Sequence, residues 1–159
     1  MKTVFLILIA STLTGCASVN VTPPQQHSFD TNREYSLPFE KAWVRAVDWF
    51  ADHNEKKKKI EKSSGLLTAK YLIEANSRLL DCGDIQVSGT LGSNNIEKYG
   101  SLNVTVRERG DEKTRVNVNF FGEYKLQAKD AWDGRIVTNS GRCVSTGSLE
   151  SSILNYIGS

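Results

Sequence analysis

The 159-residue chain has little of what most catalytic and metal sites are built from. It carries two histidines, His27 and His53, and three cysteines, Cys16, Cys82 and Cys143. No His-x-x-His, Cys-x-x-Cys or acidic calcium-loop pattern occurs, so no metal site is expected. A Gly-x-Ser-x-Gly elbow, a Walker-type phosphate loop and an identifiable acid–base pair are also missing. The sequence therefore predicts no catalytic centre and no cofactor. Charge of one sign is lacking too. Its 20 Lys and Arg against 18 Asp and Glu leave a formal net charge of +2. With no basic stripe interleaved with aromatics, nucleic acid is excluded as an expected partner. Finally, the N-terminal apolar stretch, Val4 to Leu13, falls well short of the roughly 20 residues that a helix needs to span a bilayer.

What is present starts at the N-terminus. Lys2 supplies a positive end, Val4 to Ala10 is apolar throughout, and Leu13-Thr14-Gly15-Cys16 follows. That order suits a secretory signal. The tetrad resembles the lipobox of bacterial lipoproteins, whose cysteine takes a diacylglyceryl thioether and becomes the first residue after cleavage. The resemblance implies a signal peptide over residues 1–15, lipidation at Cys16 and the membrane as a partner through that anchor. Ala17 stands after the cysteine in place of an aspartate, which by the sorting rule of such proteins implies the outer membrane, with the domain in the periplasm. Hydrophobic and charged contents of 39% and 24% are ordinary for a globular domain. What remains after residue 15 is enough for one domain with a core. In an oxidising compartment Cys82 and Cys143 read as one disulfide, with two separate buried thiols as the alternative.

Residues 16–32 read as a lipidated, flexible tether. Thr22-Pro23-Pro24-Gln25-Gln26-His27 is polar, holds two prolines and shows no helical or strand period. A single α+β domain is expected over 33–159. Glu34 to Leu37 is a short strand, Ser36 or Leu37 caps a helix, and Pro38 sits in its first turn. Phe39, Ala42, Trp43, Ala46, Val47 and Phe50 recur at three- and four-residue intervals, which predicts a long amphipathic helix over Pro38 to His53. A lysine-rich run from Lys56 to Lys62 and the strand Leu66 to Ile73 make a hairpin across Gly65. Asp84 to Leu91 is a further strand, and Gly92 to Asn95 a loop. Leu102, Val104 and Val106, then Val116, Val118 and Phe120, alternate with polar residues on either side of a turn at Gly110 to Glu112, the clearest hairpin of the chain. Gln127 to Arg142 reads as a surface excursion. Ser145 to Ser148 caps a final helix that buries Leu149, Ile153, Leu154 and Ile157. The expected fold is one curved antiparallel sheet of about five to six strands, packed with a long N-terminal and a C-terminal helix.

Ser36-Leu37-Pro38-Phe39-Glu40-Lys41-Ala42-Trp43, with Ile60 and Ser64-Gly65-Leu66-Leu67 after the helix, resembles the helix-grip repeat of BamC-type envelope lipoproteins. Cys143-Val144-Ser145-Thr146-Gly147-Ser148-Leu149-Glu150 resembles lipoproteins that share a Cys-x-Ser-Thr-Gly-x-Leu-Glu ending. The resemblance implies a helix-grip-like fold and an envelope location. It differs from BamC in having one such domain and in lacking a long unstructured N-terminal segment.

Three side-chain groups carry candidate roles. His27 and His53 read as solvated. The Lys56–Lys59 run reads as a protected strand edge, with anionic lipid or peptidoglycan carboxylates as the other possibility. Trp132, in the polar stretch Asp130 to Gly134, either anchors that loop to the core or is presented to a partner. These readings point to a non-catalytic interaction module of an envelope assembly that binds another envelope protein. A lipid- or apolar-ligand-binding protein, with a cavity lined by Trp43, Phe50, Phe120 and Tyr124, is the alternative. A small hydrolase inhibitor is the third.

Overall fold

The computed structural model describes residues 17–53, 57–74 and 77–159. Strand accounts for 53% of the described residues and helix for 18%. The elements run β1 (Ser18–Thr22), β2 (Asn32–Tyr35), α1 (Phe39–Asp52), β3 (Lys57–Glu61), β4 (Leu66–Ile73), β5 (Leu80–Asp81), β6 (Asp84–Ser88), β7 (Leu91–Glu108), β8 (Thr114–Asp130), β9 (Ile136–Ser145) and α2 (Ser148–Gly158). The main sheet has seven antiparallel strands in the order β3-β4-β7-β8-β9-β5, with β2 also on β8; β1 and β6 form a separate two-stranded ribbon.

This corrects the expected architecture. A helix-grip-like sheet of five to six strands around a long helix gives way, among the described residues, to a mostly β arrangement with two short helices. The difference comes from two stretches read as loops. Gly92 to Asn95 belongs to β7, and most of Gln127 to Arg142 is the paired ends of β8 and β9. Neither shows apolar alternation, and β9 shows why. Its inward positions include Asn139 and Gly141, because the Tyr124 ring lies across Gly141 and its hydroxyl donates to Asn139 Oδ1 at 2.7 Å. A Cβ at Gly141 would stand 2.6 Å from that ring. One tyrosine thus does the covering that a row of aliphatic side chains would otherwise do, and the period-two signal disappears.

The inner face of the sheet carries Leu67, Ala69, Leu102, Val104, Val106, Val116, Val118 and Phe120, all buried against the helices. Helix α1 presents Ala42, Trp43, Ala46, Trp49 and Phe50 to this core. Trp49, nearly fully buried, was not among the residues that its sequence period picked out; it lies three residues beyond Ala46 on the same face. Pro38 is the N-cap, and the expected side-chain cap is absent. Helix α2 buries Leu149, Ile153, Leu154 and Ile157, and starts from Gly147 in the left-handed region rather than from a side-chain cap.

Residues 17–32, expected to be a mobile tether, are docked instead. Strand β1 pairs with β6 from Ser18↔Ser88 to Thr22↔Asp84. The chain then crosses Gly83, where a Cβ would lie 1.9 Å from the Thr22 carbonyl oxygen. The Gln25 amide and the His27 ring both meet the Asp81 carboxylate, and Phe29 packs on Gly147. Thr31 O accepts from Val118 N at 2.7 Å, continuing directly into β2.

Candidate functional site

A straight row of residues crosses the four longest strands of the sheet: Tyr71 on β4, Gly100 on β7, Gly122 on β8 and Cys143 on β9. Two glycines face each other here because neighbours lie over both on the inner side. A Cβ at Gly100 would be 2.6 Å from the Phe120 ring, and one at Gly122 would be 2.3 Å from Leu80. Cys143 closes the row and is bonded to Cys82, so the expected disulfide is present. That bond brings the start of the β1–β6 ribbon onto the inner face, where Val19, Ile85 and Val87 pack against the core.

On the helix-free face a cleft of about 550 Å³ opens over the same row. Parts of two outward rows line it, Tyr99, Glu123 and Arg142 from one and Lys70, Ser101 and Phe121 from the other. Leu72, Tyr99, Glu123 and Arg142 are aligned across one side, and Lys70, Ser101, Phe121 and Val144 across the other. Leu72 is 72% exposed and Phe121 50%. Tyr99 and Phe121 sit diagonally on neighbouring strands, a separation of about 7–8 Å that aromatic side chains can bridge. The Lys125 ammonium lies 5.0 Å from the Tyr99 ring centre, and Glu97, accepting the Tyr99 hydroxyl, pushes that phenol above its ordinary pKa. Lys70 and Arg142 stand at opposite corners, and no carboxylate among the described residues pairs with either. The surface therefore has an aromatic floor, with Lys70 at one corner of its rim and Arg142 beside Glu123 at the other. Sequence reasoning missed it. Leu72, Tyr99 and Phe121 stand out only once register shows that they share a face.

Trp132 is the second exposed feature. It sits in the β8–β9 turn and is 89% exposed, so it is presented to the outside and does not anchor the loop. Asp130 holds the turn. Its carboxylate accepts from Trp132 N at 2.8 Å and from Thr90 Oγ1 at 2.9 Å, while Ala131 N donates to Thr90 O at 2.8 Å. The Trp132 amide first, and then the Thr90 hydroxyl, lower the Asp130 pKa below the usual aspartate value.

The remaining candidates are structural. Trp43, Phe50, Phe120 and Tyr124, the expected cavity lining, are 5, 0, 5 and 3% exposed and belong to the packed core. The His53 ring stacks on Trp49 at 3.9 Å, and its Nδ1 meets Trp49 O at 2.7 Å. His27 lies 3.3 Å from Asp81. Lys57 to Lys59 fall on β3, the edge strand, and Lys58 donates to Phe50 O. Cys16 and Lys56 lie outside the described residues. Among the described residues no helix is long and apolar enough to cross a membrane. No protein-family model matches the chain, and no curated protein sequence matches it.

Proposed function

We propose that this is a non-catalytic lipoprotein of the outer membrane, acylated at Cys16, whose domain is an interaction module of a cell-envelope assembly. It contacts a partner protein through the helix-free face of the sheet. The observation that carries this reading is the pairing of a packed core with the Tyr99–Phe121 cleft floor, rimmed by Lys70, Glu123 and Arg142, with Leu72 exposed beside it. A carrier of an apolar ligand needs an interior space, and the side chains expected to line one, Trp43, Phe50, Phe120 and Tyr124, are buried in one core cluster. A partner surface needs what the cleft has: aromatic anchors, an arginine and a polar rim.

A photoreactive side chain placed at position 121 in intact cells is expected to give a discrete protein adduct. The same group at Val44, exposed on the outer side of α1, is expected to give none. With the probe moved to position 101, Phe121→Ala should abolish capture while shifting stability by no more than about 0.5 kcal/mol, as for other surface substitutions. Equal labelling from positions 121 and 44 would count against the reading. Placement is tested separately. Cys16→Ala should abolish acylation and membrane retention, and unchanged mass and partitioning would refute it.

A further inference from the structure

The two ends of the long β7–β8 hairpin differ. At one end, the β7–β8 turn is crowded with charge: Arg107, Glu108, Arg109, Asp111, Glu112, Lys113 and Arg115 follow within nine residues. At the other end, the β8–β9 turn carries Ala131, Trp132, Asp133, Gly134, Arg135 and Ile136. Asp133 is paired with Arg135 at 3.4 Å, the Asp130 carboxylate is bonded within the turn, and Ile136 is 57% exposed. That pole is close to neutral and is topped by a tryptophan.

The N-terminal strand begins at the same pole. Ser18 opens β1 opposite Ser88, the last residue of β6, and the two hydroxyls lie 2.8 Å apart. Ser88 leads through Gly89 to Thr90, which is bonded to both Asp130 and Ala131. Only Ala17 separates Ser18 from Cys16, a reach of about 7 Å between the Cα atoms of residues 16 and 18 even when fully extended. The start of β1 and the Trp132 turn thus lie at one end of the molecule, and on the lipoprotein reading the acyl anchor is two residues from Ser18.

We propose that the Trp132 turn is a membrane-contacting tip, which seats its indole in the headgroup region of the bilayer that holds acylated Cys16. Tryptophan suits this position because its ring is largely apolar while its N–H needs a polar partner, and the interface supplies both. The acyl chains hold the protein on the membrane, and the indole is a second point of contact that fixes its tilt. The long axis of the sheet then rises from the lipid, and the cleft over Gly100 and Gly122 is held at a set height. This inference rests on the lipoprotein reading.

The test uses the full chain exported under its own signal, extracted from membranes and reconstituted into phosphatidylethanolamine–phosphatidylglycerol vesicles, with and without brominated acyl chains. Of the three tryptophans, Trp43 and Trp49 are 5 and 1% exposed, so bromine-dependent loss of emission reports Trp132. Wild-type protein is expected to lose emission in brominated vesicles. Trp132→Ala, altering a side chain that is 89% exposed, is expected to stay anchored and folded and to show no bromine effect. Anchored wild-type protein whose Trp132 emission ignores bromine and remains open to aqueous iodide would overturn the proposal. Shielding of Trp132 in native membranes but not in vesicles would overturn it too, in favour of a protein contact. Intact mass separates the two failures: an unacylated Cys16 refutes the lipoprotein reading itself, and the tip contact with it.

Discussion

Glu150 shows how much one side chain can hold. One edge of β8 is hydrogen-bonded to β2 and Thr31 as far as Val118, and to β9 from Phe121 onward. Between them the Phe120 amide would be an orphan donor inside the protein. The Glu150 carboxylate, only 1% exposed, accepts from Phe120 N at 3.2 Å and from Ser145 Oγ at 2.7 Å. Glu150→Ala leaves both donors buried and unsatisfied, and each such group costs about 1–3 kcal/mol. The variant should show a clearly lowered midpoint in chemical denaturation, with Glu150→Gln between it and wild type. A midpoint equal to wild type would contradict this assignment. Asp130 offers a prediction in pH. Its folded pKa lies below the ordinary value of about 3.9, so its stabilising effect is complete above that value and is lost as pH falls through the folded one. The Trp132 amide, followed by NMR, should titrate with a midpoint below that of an ordinary aspartate.

Elements were legible in the sequence where burial alternates and illegible where it does not. Val104, Val106, Val116 and Val118 announce their hairpin because one face is wet and the other dry. Residues 92–95 are exposed throughout, and β9 has Tyr124 doing its covering, so neither carries a period. The N-terminal segment was misread for a related reason. Its prolines and polar side chains suit an extended chain, and an extended chain is also what docks along an edge. The disulfide was legible from cysteine number and the expectation of an oxidising compartment, the Trp132 turn from composition, and the cleft not at all, since it is a property of register. Docking of the strap can be tested at Gly83, whose φ of 75° and contact with Thr22 O leave no space for a side chain. Gly83→Ala should release residues 17–32 to limited proteolysis and cost about 1–3 kcal/mol, while the seven-stranded sheet stays intact. Resistance equal to wild type would show that the strap tolerates displacement.

At the scale of the molecule, the Cys82–Cys143 bond links positions 61 residues apart and joins the ribbon to the main sheet. The chain-entropy model assigns a loop of that length about 4 kcal/mol, a large share of the stability of a domain this size. Replacing both cysteines with alanine, or reducing the bond, should lower the unfolding midpoint accordingly. A loss confined to a few tenths of a kcal/mol would mean that the ribbon is held by its own packing. The position of α2 has a consequence for how the chain is completed. Tyr35 donates to Leu154 O at 2.6 Å, Arg33 to Asn155 Oδ1 at 2.9 Å and Arg45 to Ile157 O at 2.7 Å. Strand β2 and helix α1 are therefore fastened to α2. Without α2, Tyr35, Arg33 and Arg45 lose these acceptors and the Phe120 amide loses the Glu150 carboxylate. The domain therefore closes only once α2 has emerged, and until then its earlier elements need whatever keeps unfinished polypeptides soluble.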